Sequence, residues 1–533
     1  MSNATASRTV QIYDTTLRDG TQGEGFNLSL SDKLAVAAKL DDLGVDYIEG
    51  GFPISNPKDE AFFRDVKKLN LKRARIAAFG MTRRRGVTAE EDTGLTALLA
   101  AETPVVTIVG KSSLFHAEQV LGVSGEENLA MIAQSVGHIA RHDREVVYDA
   151  EHFFDAFADN PDYALSTLRA ARDAGAAVLV LCDTNGGSMP ERITEATRRV
   201  VEELQTPVGI HTHNDCGVAI ANGLAGVHAG AVHAQGTVNG VGERCGNMDL
   251  LPFMANLRFK YGIRCLAEGS FARLTEASRY VYELANLIPA SGQPYVGPSA
   301  FAHKGGMHVH AVRKTSKAYE HVEPAAVGNT RKVLVSELSG ASNIAEKVGD
   351  RFDLTNDKTR LRAVLNRVQE LEHQGYHFEA AEASFELLVR GEVGQRKQFW
   401  ELVHYRVVVN KFDVGPATSE ATIKIKVQDA TEHRVADGDG PVNALDAALR
   451  KCLKDHYPAI GGLHLQDYKV RVINSAAETA AAVRVIIECR RHKRDGQSEY
   501  FGTIGVHENI IDASWQALAE AYEYHLTSVD EGR

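Results

Sequence analysis

Short runs of β-branched and apolar residues alternate with helical patterns through the first half of the chain. The eight runs cover residues 10–13, 45–49, 75–79, 105–109, 146–148, 178–181, 208–210 and 232–235. A helical pattern follows each run, and the first one, over residues 31–43, has Ser31 as its predicted N-cap. A strand-helix unit that repeats eight times favours an α/β chain with a (β/α)8 TIM barrel, which we predict over residues 1–270. Because no Gly-x-Gly-x-x-Gly follows the first run, a dinucleotide-binding fold is disfavoured.

The rest of the chain divides into two segments of different pattern. Residues 271–394 are rich in helical patterns that prolines interrupt, and we predict helical linker subdomains there. From residue 395 an internal repeat begins, in which two strands precede a helix, with the helices over residues 442–453 and 511–524. A strand-strand-helix unit cannot bury a face alone, so we expect the two units of this α+β domain, 395–533, to pack together and to form a homodimer.

Composition excludes several classes of protein. The formal net charge of −11, from 59 Lys+Arg and 70 Asp+Glu, argues against general nucleic-acid binding. The 6 cysteines form no Cys-x-x-Cys pair, so that neither a disulfide framework nor a zinc ribbon is indicated. No apolar run is long enough to span a bilayer, and we expect a cytoplasmic protein without membrane or nucleic-acid partners.

Polar side chains follow the predicted strands at the points where the strands end. Active sites of TIM barrels lie at these carboxyl ends, so a common rim is a stronger indication of a site than any single motif. The rim residues are Arg18, Asp19, Glu49, Lys111, Glu151, Asp183, Thr184, His211, His213, Asn239 and Glu243.

Two of these residues, His211 and His213, directly follow the seventh run and are separated by a single residue. Side chains at positions i and i+2 of a strand point the same way, so both imidazoles can reach one metal ion. Asp19 lies in the motif Tyr13-Asp14-Thr15-Thr16-Leu17-Arg18-Asp19-Gly20 at the end of the first strand, and Asn247 lies in the motif Gly242-Glu243-Arg244-Cys245-Gly246-Asn247. An Asp, two His and an Asn suit a divalent cation with open coordination positions, and the alternative is that these polar strand ends are unrelated.

Together these motifs resemble the metal-dependent barrel family of 2-isopropylmalate, homocitrate and citramalate synthases, which are relatives of hydroxymethylglutaryl-CoA lyase. The resemblance covers almost the whole chain. Residues 21–25, 47–51, 148–155 and 182–187 look like the citramalate branch. The isopropylmalate branch more often has Ser-Pro-Glu where this chain has Asp149-Ala150-Glu151.

The resemblance assigns a role to each ligand candidate. Asp19, His211 and His213 match the family's metal ligands, and Asn247 matches a more distant fourth one. Mixed N/O ligands without sulfur fit Mg²⁺, Mn²⁺, Zn²⁺ or Co²⁺. Thr184 matches the residue that holds the substrate carboxylate, with helix capping as the alternative role.

The resemblance also implies catalytic residues on the barrel. Arg18 would stabilise the thioester enolate or the developing alkoxide. Its alternative role is a structural ion pair with Glu49 or Glu243. Glu151 matches a carboxylate that positions water or assists proton transfer.

Further catalytic candidates lie in the linker. His308 matches a histidine that reaches into the partner subunit's barrel as an acid or base, and Tyr319 matches a nearby tyrosine. His303 and His310 are rivals for the role of His308. The family usually has Asp where this chain has His310.

The implied reaction is a Claisen condensation of acetyl-CoA with pyruvate, followed by hydrolysis to citramalate and CoA, at the entry to isoleucine biosynthesis. The C-terminal domain resembles the family's amino-acid sensor, for which isoleucine or leucine is the candidate effector. Its alternative is a dimerisation module without a ligand. Three other functions stay open: a 2-isopropylmalate synthase that takes 2-oxoisovalerate, a lyase, and a metabolite sensor with an inactive barrel.

Overall fold

The computed structural model describes residues 8–304, 308, 311–312, 314–333, 351–352, 354, 357–473, 481–492 and 498–533. The chain forms two compact units. The first comprises Met1–Phe301 and His321–Arg331, and the second comprises Ala302–Glu320 and Lys332–Arg533. No helix in these described ranges is long and apolar enough to cross a membrane.

Within residues 8–304, eight parallel strands close into a barrel. The strands are β1 (Gln11–Asp14), β2 (Tyr47–Gly51), β3 (Arg75–Met81), β4 (Val105–Lys111), β5 (Glu145–Glu151), β6 (Val178–Asp183), β7 (Val208–Thr212) and β8 (His233–Gly236). They pair in sequence order, and β8 pairs with β1 to complete the ring. The predicted (β/α)8 barrel is confirmed.

Helices surround the barrel. They are α1 (Leu30–Leu43), α2 (Pro57–Val66), α3 (Thr93–Ala100), α4 (Leu114–His116), α5 (Gly125–Ala140), α6 (Phe153–Asp159), α7 (Pro161–Asp173), α8 (Pro190–Leu204), α9 (Ala219–Ala229), α10 (Leu250–Tyr261) and α11 (Leu274–Leu284). Between strands and helices, side chains such as Ile108, Ile132 and Leu165 form the main buried layer. A second buried cluster, which includes Tyr13 and Tyr47, is formed only by side chains of the barrel strands.

The start of α1 corrects one prediction. Ser29, not Ser31, is the N-cap, because its side chain accepts a hydrogen bond from the backbone N–H of Asp32 at 3.2 Å. The Asp32 carboxylate in turn accepts from the backbone N–H of Ser29 at 2.9 Å, which completes a capping box. Ser31 lies inside the first turn. Gly44 ends the helix with a φ of 98°, a left-handed conformation that suits glycine.

His233 gives the barrel a predicted sensitivity to acid. Its ring lies 5.2 Å from that of Tyr13, and neither ring nitrogen has a hydrogen-bond partner in the described part of the chain. Burial lowers the pKa of His233 to about 3. The unfolded chain takes up this proton near pH 6.5, so stability is complete above that pH and is lost progressively as the pH falls towards 3. At pH 5 the loss amounts to about 2 kcal/mol in the free energy of unfolding.

We therefore expect His233→Phe to flatten the acid side of the barrel's stability curve. Thermal unfolding midpoints at pH 5 and pH 7.5 would be compared between the wild type and the variant. The matched control is His228→Gln, since His228 is exposed on α9. An unchanged pH dependence in His233→Phe would contradict the explanation.

The second unit contains two antiparallel sheets of three strands each among its described residues. They are β11 (Glu401–Asn410), β12 (Thr418–Val427) and β13 (Ala430–Gly438), then β14 (Leu463–Val472), β15 (Val483–His492) and β16 (Ser498–His507). A further pair, β9 (Ala302–His303) and β10 (Lys332–Val333), is parallel. The helices are α12 (Lys358–His373), α13 (Glu382–Glu392), α14 (Pro441–Leu453) and α15 (Ile510–Asp530).

The internal repeat is confirmed, and each copy has one strand more than predicted. The order β11-β12-β13-α14 recurs as β14-β15-β16-α15, and both sheets share one buried cluster with both helices. The additional strands, β11 and β14, are edge strands whose side chains are mostly exposed. A strand that is exposed on both faces lacks the alternation of apolar and polar residues by which a strand is recognised in a sequence.

The predicted boundaries at 270 and 394 stay predictions. Helix α11 belongs to the first unit, and α13 contributes Ala383 and Leu387 to the buried cluster of the two sheets. His310, a rival candidate for the acid or base, lies outside the described residues.

Candidate metal centre at the carboxyl ends of the barrel strands

Three of the predicted ligands lie together at the rim of the barrel. The Nε2 atom of His211 lies 3.3 Å from Oδ2 of Asp19 and 3.3 Å from Nε2 of His213. All three side chains are buried, and the ligand atoms lie within 4.8 Å of one another, so they could hold one ion. The strand ends of β1 and β7 bring them together, as the rim argument predicts.

Asn247 is the fourth member of this group. It pairs with His213 as an isolated β-bridge and is 2% exposed. Its Nδ2 donates to the backbone oxygen of Val241 at 3.3 Å, whereas its Oδ1 has no partner among the described residues. A buried amide oxygen without a donor requires an explanation, and a bound cation is one of the standard explanations. The four donors together fit a divalent metal ion.

The electrostatics of the group favour a cation. Burial opposes ionisation of Asp19, but the charge of Arg18 and the hydrogen bond to His211 outweigh it and hold the pKa of Asp19 well below its usual range. Burial and the neighbouring His211 lower the pKa of His213 to about 4. For His211, burial lowers the pKa, and the hydrogen bond to Asp19 more than compensates, so the net pKa is raised. An anion beside a neutral imidazole is the state in which these groups act as ligands.

Sequence reasoning missed two residues behind His211. Its Nδ1 lies 2.9 Å from Oε1 of Gln235, and Nε2 of Gln235 donates to Oδ1 of Asp149 at 2.9 Å. All three side chains are buried. The available signal was a glutamine within the eighth strand, all four residues of which are buried.

Arg18 forms the ion pair that its structural role requires. Its Nε donates to Oε2 of Glu49 at 2.6 Å, and its guanidinium carbon lies 4.0 Å from the ring centroid of Phe79. Glu49 also accepts from the Tyr13 hydroxyl at 2.8 Å. The other partner that the sequence allowed, Glu243, lies 3.7 Å from Arg244 instead. Both the carboxylate and the ring restrict Arg18 to one position beside Asp19, and its catalytic role stays a prediction.

Thr184 and Glu151 lie on neighbouring strand ends. The Thr184 hydroxyl accepts a hydrogen bond from the backbone N–H of His152 at 2.8 Å, and it does not cap a helix. Glu151 forms an ion pair with Lys111, the residue beside it on β4. The ring of His152 stacks on that of His116 at 4.0 Å. These contacts order the rim on the β4–β6 side.

The linker candidates lie in the second unit. His303 is buried, and its Nε2 lies 3.1 Å from Oε1 of Glu320. The exposed His308 stacks on Tyr319 with ring centroids 4.0 Å apart. The structure thus pairs His308 with Tyr319 and pairs His303 with a carboxylate. The roles of all three residues stay predictions.

Family models match three consecutive parts of the chain. The HMGL-like family matches residues 9–281, the homocitrate synthase post-HMGL domain-like family matches residues 295–376, and the LeuA allosteric (dimerisation) domain matches residues 379–526. The first match covers the barrel, and the last covers both three-stranded sheets.

Relatives that align over nearly the whole chain include both citramalate synthases and 2-isopropylmalate synthases. The (R)-citramalate synthase of Geobacter sulfurreducens is 49% identical over 526 residues, and that of Aquifex aeolicus is 48% identical over 525 residues, each match covering 98% of both chains. A probable 2-isopropylmalate synthase of Methanopyrus kandleri is 32% identical over 513 residues, which cover 96% of this chain and 97% of that protein. Similarity is therefore clearly higher to the two citramalate synthases.

Proposed function

The chain belongs to the HMGL-like family, among its (R)-citramalate synthases, and we propose that its barrel condenses acetyl-CoA with pyruvate at a divalent metal ion. The enzyme is an acyltransferase. The observation that carries the proposed site is the buried group of Asp19, His211 and His213 at the strand ends, beside the unpartnered amide oxygen of Asn247. Because the donors are two nitrogens and two oxygens, Mg²⁺, Mn²⁺, Zn²⁺ and Co²⁺ are the candidate ions.

The metal, when bound, supplies a Lewis acid that polarises the keto group of pyruvate. The chain's own residues orient the substrates around it. Thr184 directly follows β6, the strand beside β7, and offers its hydroxyl to the pyruvate carboxylate. Its hydrogen bond from the His152 N–H holds the hydroxyl in place. Arg18 directs its guanidinium at the oxygen where negative charge develops.

Protons move at two further positions in the proposed reaction. The acetyl methyl group must lose a proton to a base, for which His308, assisted by Tyr319, is our candidate; His303 is the alternative. Hydrolysis of the thioester then needs a water molecule, which Glu151 would position while Lys111 holds its carboxylate. The second step releases CoA and citramalate.

Substrate preference tests this function directly. We expect kcat/KM for pyruvate to exceed that for 2-oxoisovalerate, measured by release of the CoA thiol from acetyl-CoA with each 2-oxo acid. Each additional methylene changes binding in an apolar pocket by about 1–3 kcal/mol, so some turnover of the larger acid is expected. A preference for 2-oxoisovalerate would instead favour a 2-isopropylmalate synthase.

Residues 379–526 match the LeuA allosteric (dimerisation) domain, and we propose that this part of the chain forms a dimer and binds isoleucine or leucine as its effector. Its edge strands expose apolar side chains: Leu402, Val403, Val409, Leu465, Val470 and Val472. Exposed apolar residues on an edge strand are available for contact with another chain, and a second copy of the chain is our proposed partner.

A shared active site has a quantitative consequence. If His308 serves the partner's barrel, mixing Asp19→Ala protein with His308→Ala protein should restore activity, because each hybrid dimer contains one intact site. Half of the dimers are hybrids after full exchange, so about a quarter of the wild-type activity is expected. A mixture of Asp19→Ala and His213→Ala proteins is the matched control and should stay inactive. No recovery despite proven exchange would mean that His308 acts within its own chain or is not catalytic.

A further inference from the structure

We propose that Gln235 and Asp149 are positioning residues that fix the tautomer of His211 and thereby set the affinity of the barrel for its metal ion. This inference rests on the metal site proposed above. The two residues contact neither the substrate nor the ion in this proposal, and they act through His211.

The three side chains form a continuous chain of hydrogen bonds inside the barrel. His211 on β7 and Gln235 on β8 are partners in the register of adjacent strands. The Gln235 side chain then extends to Asp149 on β5, which is not a neighbour of β8 in the barrel. Both hydrogen bonds are 2.9 Å long, and none of the three residues is more than 5% exposed. Water therefore does not compete for these groups.

The chemistry of these groups determines which atom donates and which accepts in each of the two hydrogen bonds. Oδ1 of Asp149 accepts a hydrogen bond from Nε2 of Gln235, so the amide nitrogen of Gln235 faces the Asp149 carboxyl group. The amide oxygen consequently faces His211 and, as an acceptor, requires a proton on Nδ1. In a neutral imidazole the other nitrogen, Nε2, then holds the lone pair. Nε2 is the atom that lies 3.3 Å from both Asp19 and His213.

His213 provides an internal comparison. Its Nδ1 is buried, and no group in the described ranges forms a hydrogen bond with it. Only one of the two imidazoles is therefore held in a metal-binding tautomer and orientation before an ion arrives. Partners of this kind raise the basicity of a ligand histidine, and their loss costs about 10–100-fold in metal affinity.

The test measures metal binding rather than turnover. Full-length protein freed of metal by chelation would be titrated with Co²⁺, whose visible absorption reports both affinity and coordination geometry. We expect Gln235→Leu to raise the Kd for Co²⁺ by about 10–100-fold, because it removes both hydrogen bonds. Asp149→Asn is isosteric and should raise the Kd less, since its amide no longer imposes one direction on Gln235. At saturating metal, kcat should recover in both variants, as a positioning role requires.

Two further variants distinguish an error in the proposed metal site from an error in the proposed positioning role. Thr197→Val removes a buried hydroxyl on α8 that has no partner in the described chain, and it should bind Co²⁺ as the wild type does. His213→Ala removes a proposed ligand. If His213→Ala bound Co²⁺ normally, the proposed metal site itself would be wrong. If His213→Ala lost the ion while Gln235→Leu and Asp149→Asn kept the wild-type Kd and spectrum, the proposal that Gln235 and Asp149 position His211 would be wrong. Should Gln235→Leu fail to fold, the isosteric Asp149→Asn decides alone.

Discussion

A His213→Ala enzyme is expected to lose its metal ion and to fall in kcat/KM by about 10³-fold or more. A bound Lewis acid contributes several kcal/mol to transition-state stabilisation, and each 1.36 kcal/mol corresponds to a factor of ten. The variant keeps Asp19, His211 and Asn247, and the facing atoms of Asp19 and His211 are 3.3 Å apart. Metal content after gel filtration and thiol release from acetyl-CoA would be measured on the same sample.

The fold should survive this change. The imidazole of His213 is buried with its Nδ1 unpartnered in the described part of the chain, so alanine removes an unsatisfied polar group together with some packing. Chelation of the wild type provides the parallel experiment, because added Mn²⁺ or Mg²⁺ should restore the wild type and leave His213→Ala inactive. Full metal content in a folded His213→Ala protein would remove His213 from the ligand set.

Periodicity in the sequence was sufficient to predict the barrel. Each barrel strand is short, largely buried and followed by a helix, and these local properties are visible in one chain. Exposed edge strands lack that signal, which explains why β11 and β14 were not predicted. The N-cap of α1 was misplaced for a similar reason, since serines stand at both positions 29 and 31 and only the bonds to Asp32 distinguish them.

The candidate site was predictable where the topology alone brings residues together. Asp19, His211 and His213 follow strand ends, so a barrel places them on one rim. Gln235 and Asp149 are 86 residues apart and meet across the barrel, and no local pattern indicates such a contact. In the sequence Asp149 served only to distinguish two branches of a family, whereas in the structure it accepts a hydrogen bond from Gln235. The ion pair of Arg18 with Glu49 was one of two alternatives, and only the structure selects it.

That ion pair makes Arg18 the most informative residue to test next. Its Nε is bound to Glu49, its plane lies over Phe79, and its Nη1 lies 3.5 Å from Asp19. Lysine would keep the positive charge but lose the planar fork, so it could not both pair with Glu49 and direct a second N–H at the developing oxyanion. We expect Arg18→Lys to lower kcat by about 10²–10³-fold, the usual cost of losing such a donor, while the metal content stays unchanged.

Arg75→Lys is the matched control for this substitution. Arg75 pairs with Glu145 at 2.6 Å and lies 5.5 Å from the ring centroid of Tyr47, but it stands at the amino end of β3, away from the proposed site. A purely structural role for Arg18 predicts that both variants lose thermal stability and that their folded fractions keep wild-type kcat. A catalytic role predicts a large fall in kcat for Arg18→Lys alone, at equal metal content. Wild-type turnover by folded Arg18→Lys protein would therefore assign Arg18 to the ion pair with Glu49 and would require another group to stabilise the charge that develops on the substrate oxygen.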